Sequence, residues 1–425
     1  MTGFPPSVAS TPQPRKAGWA LVAISLFAIG AATLTPQATA SSQPHYCLIC
    51  GSFGTVDALL NVLLFLPLGI GLALTGTRAR VSILSMLLLS IAIESTQLVA
   101  IAGRDATIGD VVFNTLGGAA GFAIGFARQS LFKPSGRAAA RLAVCWAACW
   151  LLIQAIANIA LRTSQPDTAY FGQFGHILGG FSVFHGVVRS ARVAGLPIVD
   201  GRLADSRSVR HALLAGDSLV AGLVVAGSPR TIAPIVRIAD QNREEILLLG
   251  QQSDDLVFAV RTIATDLRLR PAFFSLRHAF EASADGATRD SVMVVSNYLS
   301  GRVVLRARND FKDSSSSLTA TAASGWILFL PFQWLIEGTR AEQLLGLLWM
   351  FCLLIPLGFW AARSAASSSG IPAIRRPVWA AACVGILLVG LLILPLLIGT
   401  SPPGGVDWVG SLLGIAGGAA IAARS

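Results

Sequence analysis

The sequence predicts a mainly α-helical polytopic membrane protein, with about nine transmembrane helices, that carries an inserted all-β sandwich. Three observations predict it. Apolar runs of span length recur along the chain, charged residues make up only 13% of it, and the middle segment changes to short β-type runs. Soluble domains carry roughly 25% charged residues, and a span needs about 20 mostly apolar ones. Such runs lie at 18–36, 57–76, 81–101, 107–127, 142–161, 319–336, 343–361, 377–399 and 405–423.

The first run follows Arg15 and Lys16 and ends at Ala38-Thr39-Ala40, in the A-x-A style of a cleavable signal. Its length and the spans that follow favour an uncleaved anchor. With the N-terminus cytoplasmic, Arg78, Arg80, Arg128, Lys133, Arg137 and Arg141 all fall inside, and residues 37–56 carry no Lys or Arg. Arg104 alone breaks the positive-inside pattern in this part of the chain. Orientation signals thus account for part of the net charge of +10. No basic helix or aromatic-interleaved patch points to nucleic acid.

Cys145, Cys149, Cys352 and Cys383 lie in apolar runs, as small hydrophobes do. Cys47 and Cys50 stand apart in the first outer loop, beside His45. A local disulfide is one reading of this pair; free thiols and a metal site are the alternatives, and a single CxxC lacks the second ligand pair a metal needs. His176 and His185 are isolated. No HExxH, G-x-S-x-G or phosphate-cradling glycine loop stands in a suitable context, so neither a metal nor a cofactor is expected.

Residues 1–17 form an N-terminal tail, 18–162 a transmembrane domain and 163–180 a linker. Segment 181–314 reads as the sandwich, its runs such as SLVAGLVVAG and SVMVVSNYL recurring at about ten-residue spacing between turn residues. Segment 315–425 is a second transmembrane domain and a degenerate copy of the first. Leu66–Gly69 (LPLG) recurs as Ile355–Gly358 (IPLG), and Asp110–Gly121 recurs weakly as Asp407–Gly418. In the copy Gly346 and Met350 fall where Asp57 and Asn61 stand, and nothing replaces Glu94 and Gln97.

Polar residues concentrate in the first copy. Asp57 and Asn61 are four apart, Glu94 and Gln97 three apart, and Asp110 and Asn114 four apart, so each pair shares one face of its helix. The orientation above brings all three pairs to the outer side. A carboxylate in a bilayer costs several kcal/mol, about 3 on insertion scales, unless it is paired or faces a wet interior. Arg104, in the turn between two of these helices, is the partner expected for Glu94 with Asp57 or Asp110. Helix capping is the competing account of Asp57 and Asp110, each in the first turn of a span. Gly117, Gly121 and Gly125 form a small-xxx-small stripe for close helix packing, and Pro67 with Gly69 is expected to kink or thin the second span.

The order Asp57, Asn61, Phe65–Gly69 (FLPLG), Glu94, Gln97, Arg104, Asp110, Asn114 and Gly117 resembles the motif set of VanZ-like membrane proteins, a family named for a protein linked to resistance to the lipoglycopeptide teicoplanin. The resemblance covers 18–128. Residues 235–262 resemble, more weakly, the concanavalin/laminin-G-like sandwich found between VanZ-like halves in larger members. The resemblance implies a bacterial inner-membrane protein with an envelope role. Membrane lipid is the implied partner, with a lipid-linked cell-wall or polysaccharide precursor or a lipoglycopeptide as ligand. A binder that is not an enzyme leads; an intramembrane enzyme using Glu94 or an Asp as acid or base, and a transporter, are the alternatives.

The side of the sandwich sets two arguments against each other. Five spans from a cytoplasmic start put it outside, which is the expectation adopted. The same count, however, sends Arg363, Arg375 and Arg376 outside as well and inverts the second copy relative to the first; reading the repeat as parallel satisfies those arginines but needs another crossing, at 169–188, and a cytoplasmic sandwich.

Overall fold

The computed structural model describes residues 13–36, 46–101, 103, 106–175, 181–280, 291–309, 312–366 and 372–424. The chain divides into two compact units, residues 1–135 and 136–425. The first holds α1 (Gln13–Thr33), α2 (Gly54–Thr75), α3 (Ala79–Ala100), α4 (Ile108–Phe126) and the short α5 (Arg128–Phe132). The second begins with α6 (Gly136–Ala160). It continues through the β region, which includes α7 (Ser206–Ala215) and α8 (Ile263–Asp266), and ends with α9 (Arg340–Ala366), α10 (Pro372–Leu388), α11 (Leu394–Ile398) and α12 (Gly405–Arg424). A π-helical turn, Val389–Ile393, joins α10 to α11. Eight of these helical segments are long and apolar enough to cross a membrane. Helices suit that task because each satisfies its own backbone groups where no water is present.

Backbone contact between α2 and α4 organises the first unit. A Cβ on Gly117, Gly121 or Gly69 would overlap the carbonyl oxygen of Val62, Leu66 or Gly118, so only glycine permits this approach. Pro67 sits inside an α2 that continues as one helix through Thr75. Around the α2–α4 pair, α1 packs on α2 and α3 on α4. In the second unit α9 and α12 meet in the same register. A Cβ on Gly414, Gly418 or Gly358 would overlap Phe351, Ile355 or Ile415, the counterparts of Val62, Leu66 and Gly118. The weak sequence repeat is therefore a structural one. α6 packs on α9 as α1 does on α2, so the β region lies between the first and second helices of the second copy. The corresponding stretch of the first copy is the short connection that holds Cys47 and Cys50. The third helices differ, because α10 packs on α9 whereas α3 packs on α4.

The sandwich strands are β1 (Tyr170–Phe174), β2 (Val187–Val193), β3 (Leu196–Pro197), β4 (Gly201–Arg202), β5 (Leu219–Val224), β6 (Ala233–Asp240), β7 (Glu245–Gln252), β8 (Asp255–Val260), β9 (Phe273–Leu276), β10 (Ser291–Leu299), β11 (Arg302–Arg308), β12 (Asp313–Thr319) and β13 (Leu335–Ile336). One sheet runs β13-β9-β8-β7-β6-β1-β4 and the other β12-β11-β10-β5-β2-β3. Between them lies an apolar core that includes Ile235, Ile238, Leu247, Phe258, Phe274, Val294 and Leu305. β10 and β11 alternate buried and open positions along their length, as strands with one wet face do. β6 is buried at every position, and the buried Arg237 within it is held by Gln173, the Arg243 carbonyl and Glu245.

Two boundaries differ from the sequence reading. The 163–180 segment is not only a linker, since β1 pairs with β6 from Tyr170↔Asp240 to Phe174↔Val236. The 319–336 run, expected as a span, instead forms the end of β12, a 3₁₀ segment (Ala322–Phe329) and β13. Its apolar side chains fill protein interior: Ile327 and Ile336 join the sandwich core, Ala323 packs with the α6–α9 cluster, and Trp326 stacks edge-on against Trp334 at 5.3 Å. Hydropathy alone does not distinguish such a segment from one that meets lipid. Pro331 and Gln333 interrupt it, and β13 then pairs in parallel with β9.

Two buried phenols tie the sandwich to the end of α6 and to its own loops. Tyr298 donates to the Leu161 carbonyl and Tyr170 to that of Pro166 at 2.9 Å. Burial pushes Tyr170 up to about 12, although Arg210 and Arg261 pull the other way, and it pushes Tyr298 upward as well. A raised folded-state value means that the stability from keeping the phenol neutral is complete below the ordinary tyrosine value of about 10. For Tyr170 it is lost as the pH climbs through about 12. Alkaline absorbance titration of the intact protein should show both phenols resisting ionisation until the sandwich unfolds. Tyr298→Phe should lower its unfolding free energy by about 1 kcal/mol.

Candidate functional site

The start of α4 is the centre of the polar cluster. A helix leaves its first N–H groups without intrahelical partners, and here three separate elements supply them. Thr107 is the N-cap: its hydroxyl accepts from the Asp110 N–H at 3.2 Å and donates to Asp110 Oδ2 at 2.7 Å. Glu94, buried on α3, accepts the Thr107 N–H on Oε2 at 3.2 Å. The Cys47 carbonyl accepts the Gly109 N–H at 3.2 Å. Gly109 is required there, because a Cβ would overlap the Leu48 carbonyl. Cys47 and Cys50 are joined by a disulfide, so a closed turn lies against the first turn of α4.

From this cap a chain of hydrogen bonds crosses to the neighbouring helices. Asn61 on α2 donates to Asp110 Oδ1 at 2.6 Å. Both Asp110 oxygens are thereby held, one by the cap and one by α2. Capping and network, alternatives in the sequence, coexist in this residue. One turn deeper, Asn114 donates to Ser90 on α3 at 2.9 Å. Asn114 is only 2% exposed, and its Oδ1 is buried with no hydrogen-bond partner. Gln97 faces another way, donating to the Thr33 carbonyl at 2.8 Å and so tying α3 to the end of α1. Asp57 lies in the first turn of α2, one turn before Asn61.

The structure thus brings Asn61, Glu94, Asp110 and Asn114 to one end of the α2–α3–α4 group, with Gln97 as a tie at its edge. Arg104, Asp105, His45 and His176 lie outside the described residues. Sequence reasoning missed Thr107 and Ser90. Thr107 had a signal, since Thr107 followed three residues later by Asp110, at the start of an apolar run, is close to a capping box. Ser90 had none, because a serine in an apolar helix reads as a small packing residue.

Among the described residues the second copy lacks this chain. Asp407 Oδ2 accepts the Gly404 N–H at 3.0 Å, a local cap. Ser411, in the place of Asn114, donates back to the Asp407 carbonyl of its own helix. Among the described residues no group of three or more His, Cys, Asp or Glu side chains could hold a metal ion.

Residues 8–130 match the model of the VanZ/LLP1 family, a stretch that contains the whole polar cluster. Neither a curated protein nor a solved structure matches the chain.

The cap makes a direct prediction. Thr107→Val keeps shape but removes the hydroxyl, and should lower the midpoint of thermal unfolding in detergent by the equivalent of about 1–2 kcal/mol. Thr107→Ser, which restores the hydroxyl, should unfold as the wild type does.

Proposed function

We propose that the protein binds or handles an amphiphilic envelope molecule, holding its polar head group at the outer end of α2, α3 and α4. The observation that carries this reading is the buried Asn114 Oδ1, an acceptor without a partner at the inner end of a hydrogen-bonded chain. Unpaired buried polar atoms are uncommon and mark places where a ligand or water completes the set. The similarity of residues 8–130 to VanZ/LLP1 proteins supports an envelope setting. Arg104, in the short connection between α3 and α4, is assigned to the anionic part of the head group, for which a planar fork of donors is suited.

Binding is favoured over catalysis by how the carboxylates are engaged. Glu94 accepts a backbone N–H and Asp110 is held on both oxygens, arrangements that position groups. Glu94→Gln keeps the shape and removes titration. In the enzymatic alternative it abolishes function; in the binding reading the envelope phenotype survives.

The test uses the full chain in nanodiscs containing undecaprenyl phosphate, with occupancy read by native mass spectrometry. Arg104→Ala should lose the lipid, and Arg104→Lys should recover only part of it. Membrane abundance, measured first, separates misfolding from lost binding. Wild-type occupancy in the Arg104→Ala protein would remove this assignment.

We assign the sandwich to the outer face. With 319–336 removed from the spans, five helical crossings precede the sandwich and three follow it. Arg363, Arg375, Arg376 and Arg424 then fall inside. A cysteine placed at the exposed Asn242 should react with a membrane-impermeant maleimide in intact spheroplasts. Labelling only after lysis would put the sandwich inside.

A further inference from the structure

Among the described residues the second copy lacks the polar chain of the first, and a cavity stands at its starting turns. It has a volume of about 610 Å³ and lies between β12, the 3₁₀ segment and the starting turns of α9 and α12. Its floor is the point where the copies diverge. Gly346 stands in the place of Asp57, and a Cβ there would already lie 3.1 Å from Asp407 Oδ1. Met350, in the place of Asn61, has no donor to offer that oxygen. Asp407 Oδ2 is held by the Gly404 N–H, while Oδ1 has no partner among the described residues.

The walls carry the complementary groups. Trp326 is among the residues that line the cavity. Ser317, Thr319 and Ser324 add hydroxyls, and Arg302 stands by Ser317 with Nε 3.4 Å from Oγ. Glu342 also lines the space, but its carboxylate is committed to the N–H groups of Glu337 and Gly338. One guanidinium and one open carboxylate oxygen therefore remain as free charges. An anionic head group needs several converging donors, and a polycation needs more than one acceptor carboxylate, so neither fits. A ligand that presents many hydroxyls, donating to the Asp407 carboxylate and accepting from Arg302 and the wall hydroxyls beside an aromatic residue, does fit.

We infer that this cavity binds an uncharged sugar. The site is separate from the one assigned to α2–α4 and does not rest on it. Two sources share this chemistry, a glycolipid head group and a free saccharide. The position of the cavity, at the first turns of two helices of membrane-spanning length, favours the first.

The experiment uses the full chain in phosphatidylcholine nanodiscs with glucosyl diacylglycerol added, occupancy being read by native mass spectrometry. A parallel arm titrates methyl α-glucoside and follows it by saturation-transfer NMR. Wild type should bind the glycolipid. Gly346→Leu, which fills the floor, should abolish binding. Asp407→Asn, which keeps the shape and removes the charged acceptor, should weaken it roughly tenfold. Arg104→Ala should bind glucosyl diacylglycerol as wild type does, whatever happens to its undecaprenyl phosphate, so the two sites fail independently. Binding confined to methyl α-glucoside, with the same loss in Asp407→Asn, upholds the sugar site and identifies a soluble source. If neither probe binds, or if Asp407→Asn keeps wild-type occupancy, the proposal is overturned.

Discussion

The link from α2 to the polar cap of α4 depends on how closely two helix backbones approach. Gly117 and Gly121 on α4 lie against the carbonyls of Val62 and Leu66 on α2, and Gly69 on α2 lies against that of Gly118. With no water to drive association between helices in lipid, such backbone contact is a main source of specific packing. It also sets the reach of short side chains. Asparagine and aspartate extend only a few bonds, and Asn61 meets Asp110 at 2.6 Å because the helices that carry them touch. A bulkier residue at Gly117 would separate the helices and part the pair.

The same contact made a second time, between α9 and α12, shows what is architectural and what is not. The glycine register survives in both copies, whereas the side chains one or two turns away have changed. Asp57 and Asn61 have become Gly346 and Met350, and Asn114 has become Ser411. Scaffold and site are thus separable in this fold. Inserting the sandwich after α6 fits that view: it enters where the first copy has only a short disulfide-closed turn, and it closes over a starting turn that in the first copy is capped by that turn and by Glu94.

Much of the site was legible because its residues break a strong local rule. Glu94 and Asn114 stand out in apolar helices, where each polar side chain needs a reason. The three-residue and four-residue spacings placed each pair on one face, and eight of the nine apolar runs are helices of span length. The ninth was misread because Ile327, Leu328 and Ile336 are as apolar as any lipid-facing residue; whether such side chains meet lipid or a protein core is decided by what packs on them. β1 was missed for the opposite reason, since Tyr170–Phe174 (YFGQF) is short and lies beside a polar stretch.

The sequence by itself determined the spans, the β character of the middle segment, the glycine stripe and the identity of the polar residues, because each of these is a property of local composition or of a fixed helical period. Tertiary structure decided which of those residues act together. Thr107 as the hub between Glu94 and Asp110, the unpartnered Asn114 oxygen, the pairing of β1 with β6 and the inward burial of 319–336 all involve groups far apart in the chain. Hydrogen bonds and packing are short-ranged in space, so only the folded backbone could say which distant residues they join.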